Sequence, residues 1–213
     1  MGSQSSAPQA SVSWIAIETL LATALALYLS LRLDTPLVWL FIPLALLSAG
    51  RHSLSEYGLD LRFTPPSLAV HAMLGATLLV LYAALHAAVA TAWLDQRFAP
   101  VLPATPVADL VREFLAVGFP EEVFFRGYVQ TRWNRACGRP WRILGAPAGP
   151  GLLAQAAIFA VCHLATGDWT RLRVFFFALL AGWLRERSGS VLAPAIYHAG
   201  ANVWYRIVAD SFH

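Results

Sequence analysis

The sequence predicts an all-α fold: a polytopic transmembrane helical bundle of about seven spans (six to eight), with a polar site buried among the C-terminal helices. Three observations predict it. Hydrophobic residues make up 58 % of the 213 positions and charged ones 13 %, and the mean hydropathy is +0.58. The apolar residues gather in runs separated by short segments of proline, glycine and arginine. All 15 basic residues are arginine, most of them between the runs, where positive charge sets membrane topology.

Residues 1–12 read as a disordered tail. Met1-Gly2-Ser3-Gln4-Ser5-Ser6 formally fits an N-myristoylation pattern, but Gly/Ser-rich leaders are commoner as unstructured tails. No charged n-region precedes the first apolar run, 13–31, so it reads as a retained anchor that stops at Arg32 and Asp34. The second run, 36–49, ends at Gly50-Arg51-His52, and its length leaves crossing and re-entry both open. Residues 53–66, with Glu56, Asp60, Arg62 and Pro65-Pro66, read as an interfacial loop. The long third run, 68–94, contains His71 and His86, each expected to hydrogen-bond between helices. A connection over 95–108, with Pro100, Pro103 and Pro106, closes an accessory transmembrane region assigned to 13–106.

The core is assigned to 107–208 and a C-terminal tail to 209–213. The core opens on a helix from Asp109 to about Trp133, expected to break or kink at Gly118-Phe119-Pro120 because proline lacks a backbone donor. Arg132, Arg135, Arg139 and Arg142 follow as the densest basic segment, which the positive-inside rule makes cytoplasmic. Three more runs, 152–165, 174–184 and 191–208, complete the seven, putting the N-terminus inside. Trp14, Trp39, Trp93, Trp133, Trp141, Trp183 and Trp204 lie near span ends and read as interfacial anchors.

The chemistry centres on Phe119-Pro120-Glu121-Glu122-Val123-Phe124-Phe125-Arg126. Two acids inside an apolar helix cost several kcal/mol unless paired or facing a polar cavity, so they mark a functional site by default. Glu122 and Arg126 are i and i+4 and can pair, while Glu121, about 100° round the helix, is left to face a cavity. Downstream, Phe159 stands four residues before His163, and His198 four before Asn202, with Gly200 and small alanines offering a neighbour close approach. A lone membrane histidine is usually a satisfied core group. Two glutamates, two histidines and an asparagine on three apolar helices instead suggest one convergent site. Cys137 and Cys162 read as structural thiols. The basic excess does not imply nucleic acid, since no basic stripe with interleaved aromatics exists.

E-E-x-x-x-R, F-x-x-x-H and H-x-x-x-N, in that order on successive apolar segments, resemble the CAAX protease and bacteriocin-processing (CPBP, or Abi) family, whose branches include the Ras-converting enzyme. Gly182, Arg185 to Ser190 and Pro194 ahead of His198 add to the likeness, which covers residues 113–208. The resemblance makes 107–208 a CPBP-like catalytic core and implies a glutamic-type intramembrane endopeptidase without a cofactor. Glu121 would be the general base that activates water, with Glu122 and Arg126 orienting the site. His163 would hold or polarise that water, and His198 with Asn202 would stabilise the oxyanion. The implied partner is a membrane-associated protein or peptide substrate with a prenylated C-terminus or a hydrophobic sorting tail. The implied location is the lipid bilayer, as a multi-pass protein of a prokaryotic cytoplasmic (inner) membrane. Two alternatives stay open. One is a zinc protease with Glu121, His163 and His198 as ligands, although there is no H-E-x-x-H. The other is a non-enzymatic immunity or transport protein that uses the polar cluster for binding.

Overall fold

The computed structural model describes residues 11–60 and 65–213, with side chains at 73 and from 75 onward in the second stretch. The myristoylation pattern, Arg62 and the side chain of His71 lie outside the described residues.

Helix α1, Val12–Leu33, starts where Ser11 Oγ accepts the Trp14 N–H, and ends at Asp34 in the left-handed region. Its inward side is Ile15, Thr19, Ala22, Thr23 and Ala26, the last four small enough to let neighbours approach closely. Its outward side exposes Trp14, Ile17, Leu21 and Leu25, an arrangement that is stable against lipid and costly against water. Helix α2, Val38–Ala49, has 12 residues, about 18 Å of length and short of a ~30 Å hydrocarbon core. Helix α3 is Pro65–Trp93. Among the described residues, Val12–Leu33 and Gly75–Trp93 are long and apolar enough to cross a membrane, while Val38–Ala49 and Pro150–Thr166 are apolar but shorter. Two of the seven expected spans therefore meet the length and hydropathy of a crossing helix.

The expected break at Pro120 does not occur. Residues 106–137 run as one helix, α4, in which two wide turns, Glu113–Gly118 and Val123–Val129, flank the α-helical turn Phe119–Glu122. Across the first, the Phe119 N–H reaches back five residues to Phe114 O. Pro120 lacks a donor, and widening the turn accommodates this without breaking the helix. Such π-turns concentrate at functional sites.

After Gly138 the basic segment forms a hairpin that the all-α expectation did not include: β1, Trp141–Ile143, antiparallel to β2, Ala146–Ala148. Leu144 and Gly145 both take positive φ, as a two-residue hairpin turn demands. Trp183 Nε1 donates to Ile143 O at 2.8 Å, seating the hairpin on the following helices. These are α5, Pro150–His163, α6, Val174–Ser188, and α7, Leu192–Asp210. The C-terminal residues pair with the connection before α4: Ala99 N donates to Ser211 O at 2.8 Å and Arg97 N to His213 O at 2.9 Å.

The accessory helices are built into the core. Trp39 of α2 packs on Phe124 and Phe125 of α4, at ring separations of 4.8 and 5.1 Å. Glu18 of α1 accepts from Tyr128 Oη at 2.5 Å and pairs with Arg132. Trp39 and Trp183 are buried packing residues, where interfacial anchors were expected. Two arginines likewise serve structure instead of topology alone, Arg185 being buried and Arg132 held by Glu18.

Close approach of α4 and α7 depends on Gly118, whose Cβ substituent would lie 3.0 Å from Ala195 O and 3.3 Å from Ala199 N. Gly200, expected to play that part, has nothing within 4 Å of its Cβ direction. Gly118→Val is expected to push α7 off α4 at a cost of about 1–3 kcal/mol and to lower activity, because His198 rides on the displaced helix. Thermal unfolding with activity checks this; Gly200→Ala is the control that should change neither.

Candidate active site

The middle of α4 carries Glu121 and Glu122 toward α7. Glu122 is fully buried and receives two donors on one oxygen, with Arg126 Nη1 and His198 Nδ1 both 2.8 Å from Oε1. The first contact is the i, i+4 pair that the helix spacing predicts. Arg126 is also fully buried, its guanidinium 4.5 Å from the centre of the Phe159 ring and 5.8 Å from that of Phe177. A cation over an aromatic face loses less on leaving water.

Glu121 differs from its neighbour. Its side chain is 15 % exposed, and His198 Nε2 lies 3.8 Å from its Oε2. That gap is long for a direct hydrogen bond, and short enough for one water to touch both groups. The two adjacent carboxylates thus divide the labour of the site, one immobilised and one reachable.

His198 links them. Nδ1 faces a carboxylate, which only accepts, so Nδ1 carries the proton. Nε2 then accepts when the ring is neutral and donates when it is protonated. His163, at the end of α5, packs at a tilt on Phe159 with 4.5 Å between ring centres, and its Nδ1 bonds Phe159 O at 2.9 Å. It lies within electrostatic reach of Glu121 and His198. Phe159 forms the wall between the groups, packing on Arg126, His163 and His198 together. Cys162 is a buried free thiol, and Cys137 is free as well.

Asn202 is placed differently. Its Nδ2 donates to Glu113 Oε2 at 3.2 Å, and Arg206 Nη2 holds the other oxygen of Glu113 at 2.5 Å. Glu113 is absent from the residues that the motifs single out. The cavity lined by Val101, Pro103, Asp109 and Arg206 lies beyond this cluster along α7, away from Glu121. His86, expected to hydrogen-bond between helices, is bonded within its own: Tyr82 Oη lies 3.3 Å from its Nδ1, at i−4.

A zinc ion needs three ligands aimed at one point. Among the described residues no three His, Cys, Asp or Glu side chains gather in that way. As placed, Glu121, His163 and His198 do not fit the ion.

Residues 103–204 match the family model described as Type II CAAX prenyl endopeptidase Rce1-like. Over this segment the chain is similar to the Rce1-like family. No curated protein and no solved structure matches the chain. The Rce1-like segment contains Glu113, Glu121, Glu122, Arg126, His163, His198 and Asn202, and it stops two residues short of Arg206. It excludes α1 to α3, yet Glu18 and Trp39 pack directly against it. The model that the segment matches describes a prenyl endopeptidase, and the two long apolar helices agree with a membrane protein.

Proposed function

We propose that this chain is a glutamic-type intramembrane endopeptidase that hydrolyses a peptide bond near the C-terminal or membrane-embedded part of a protein substrate. The observation that carries the proposal is the unequal environment of the two adjacent carboxylates. Glu122, neutralised by Arg126 and His198, is a structural anion. Glu121, loosely contacted and partly exposed, is free to take a proton from a water that also touches His198 Nε2. General base catalysis of this kind contributes about 10²–10⁴-fold.

The electrons then move in the usual order of acyl transfer. Water oxygen attacks the scissile carbonyl as its proton passes to Glu121, and the tetrahedral oxyanion is met by N–H donors. Asn202 and protonated His198 are the donors available on α7, and His163 orients the water from the side of α5. Collapse returns the proton to the departing amine. All of these steps run on the chain's own side chains, with no cofactor. Residues 106–137 span roughly 45 Å at ~1.5 Å per residue, so Glu121, near the middle, would lie at bilayer depth in a perpendicular helix. Buried among apolar rings, the site suits a substrate delivered in lipid, either a prenylated C-terminus or a hydrophobic tail.

The test is cleavage of prenylated C-terminal peptides and transmembrane-tail peptides by detergent-purified protein, with and without chelator. Cleavage of one class, unchanged by chelator, supports the proposal and names the substrate. Activity lost in chelator and restored only by zinc would overturn the metal-free mechanism. Failure on both classes by a folded protein would favour a binding or transport role.

A further inference from the structure

The register of α4 on α7 brings a third carboxylate into line with the site. Glu113 precedes Glu121 by eight residues, and eight α-helical steps leave two residues about 80° apart. The wide turn Glu113–Gly118 absorbs one residue, so the two are related as by about seven steps, about 20° from a common face. On α7, His198 and Asn202 are four residues apart and share a face as well. Two rungs therefore join the helices: Glu122 to His198 at 2.8 Å and Glu113 to Asn202 at 3.2 Å.

A carboxylate accepts and never donates, so Glu113 Oε2 selects the nitrogen end of the Asn202 amide. Glu113 is itself fixed from Oε1 by Arg206, one turn beyond Asn202 on α7, and Arg112 approaches the same oxygen at 3.9 Å. We propose that Glu113, clamped by Arg206, is a positioning residue that locks the Asn202 amide so that its second N–H serves the oxyanion. An amide free to flip would present its carbonyl oxygen for part of the time, and that oxygen repels the charge it should stabilise. This inference rests on the peptidase reading, and its test separates the two.

The chain has only two asparagines, Asn134 and Asn202. Full-length protein labelled with ¹⁵N at asparagine alone gives two side-chain amide pairs in micelles, and Asn202→Ala assigns them. Glu113→Gln is expected to shift the Asn202 pair and leave the Asn134 pair in place. It should lower kcat about tenfold at unchanged KM, less than the ~100-fold typical of deleting an oxyanion donor, with no further loss in the Asn202→Ala background. Arg206→Gln, at a side chain 40 % exposed, should reproduce the shift and serves if Glu113→Gln folds poorly. An unmoved Asn202 pair, or an equal kcat loss with and without Asn202, would overturn the proposal. A shift of the Asn202 pair in Glu113→Gln, with a folded wild type that cleaves neither peptide class, would uphold the clamp and overturn the peptidase reading.

Discussion

Glu121→Gln is expected to lower kcat by about 10²–10⁴-fold, the share a general base supplies, while leaving thermal unfolding unchanged. The side chain meets His198 Nε2 only loosely, at 3.8 Å, and is partly exposed, so the amide replaces a base without breaking a tight buried pair. Glu122→Gln has a different signature. It weakens two 2.8 Å contacts at once and leaves Arg126 in the core beside a neutral amide, so stability and activity should fall together. Initial rates and unfolding curves measured side by side distinguish the residues. A Glu121→Gln enzyme at wild-type rate, or a Glu122→Gln protein of unaltered stability that is merely slow, would reverse the assignment of base and anchor.

What the sequence made legible was short-range. The Glu122–Arg126 pair follows from α-helical spacing alone, and Phe159 packing on His163 follows from the same i, i+4 rule. The His198 contact to Glu122 spans 76 residues and was reachable only as a suspected convergence of polar groups. Glu113 was hidden for a specific reason: an ideal wheel turns it away from Glu121, and only the wide turn ahead of Pro120 brings it back. The hairpin was missed because arginine, proline and glycine over 138–149 read as a loop, although Leu144-Gly145 closes a two-residue turn. Arginine and tryptophan misled for a common reason. Both are enriched at membrane interfaces, so composition placed Arg185, Trp39 and Trp183 there, whereas each has a partner or packing surface inside the bundle. Apolar runs predict burial as readily as lipid contact: α2 and α5 are apolar, shorter than a crossing helix and packed on the core.

Arg126→Met is expected to cost about 3–5 kcal/mol of stability, the range for removing one partner of a buried ion pair. Neither side chain of the Glu122–Arg126 pair has measurable exposure, so water cannot replace the lost guanidinium. The pair is already sparsely bonded: Glu122 Oε2 and Arg126 Nε and Nη2 have no hydrogen-bond partner among the described residues. Removing the cation leaves His198 as the one remaining donor to a buried charge. Adding Glu122→Gln to Arg126→Met removes that charge, and the double variant should recover about 1–3 kcal/mol relative to Arg126→Met alone. Activity should not return with stability, because His198 then loses the carboxylate that fixes its Nδ1 proton and aims Nε2 toward Glu121. Unfolding in graded SDS, followed by tryptophan fluorescence, measures the first effect, and peptide cleavage measures the second. A double variant as unstable as the sum of its parts would mean that the two charges do not depend on each other. Recovery of both stability and cleavage would mean that the ion pair holds the helix and leaves His198 to be oriented by its aromatic neighbours Phe159 and Phe177.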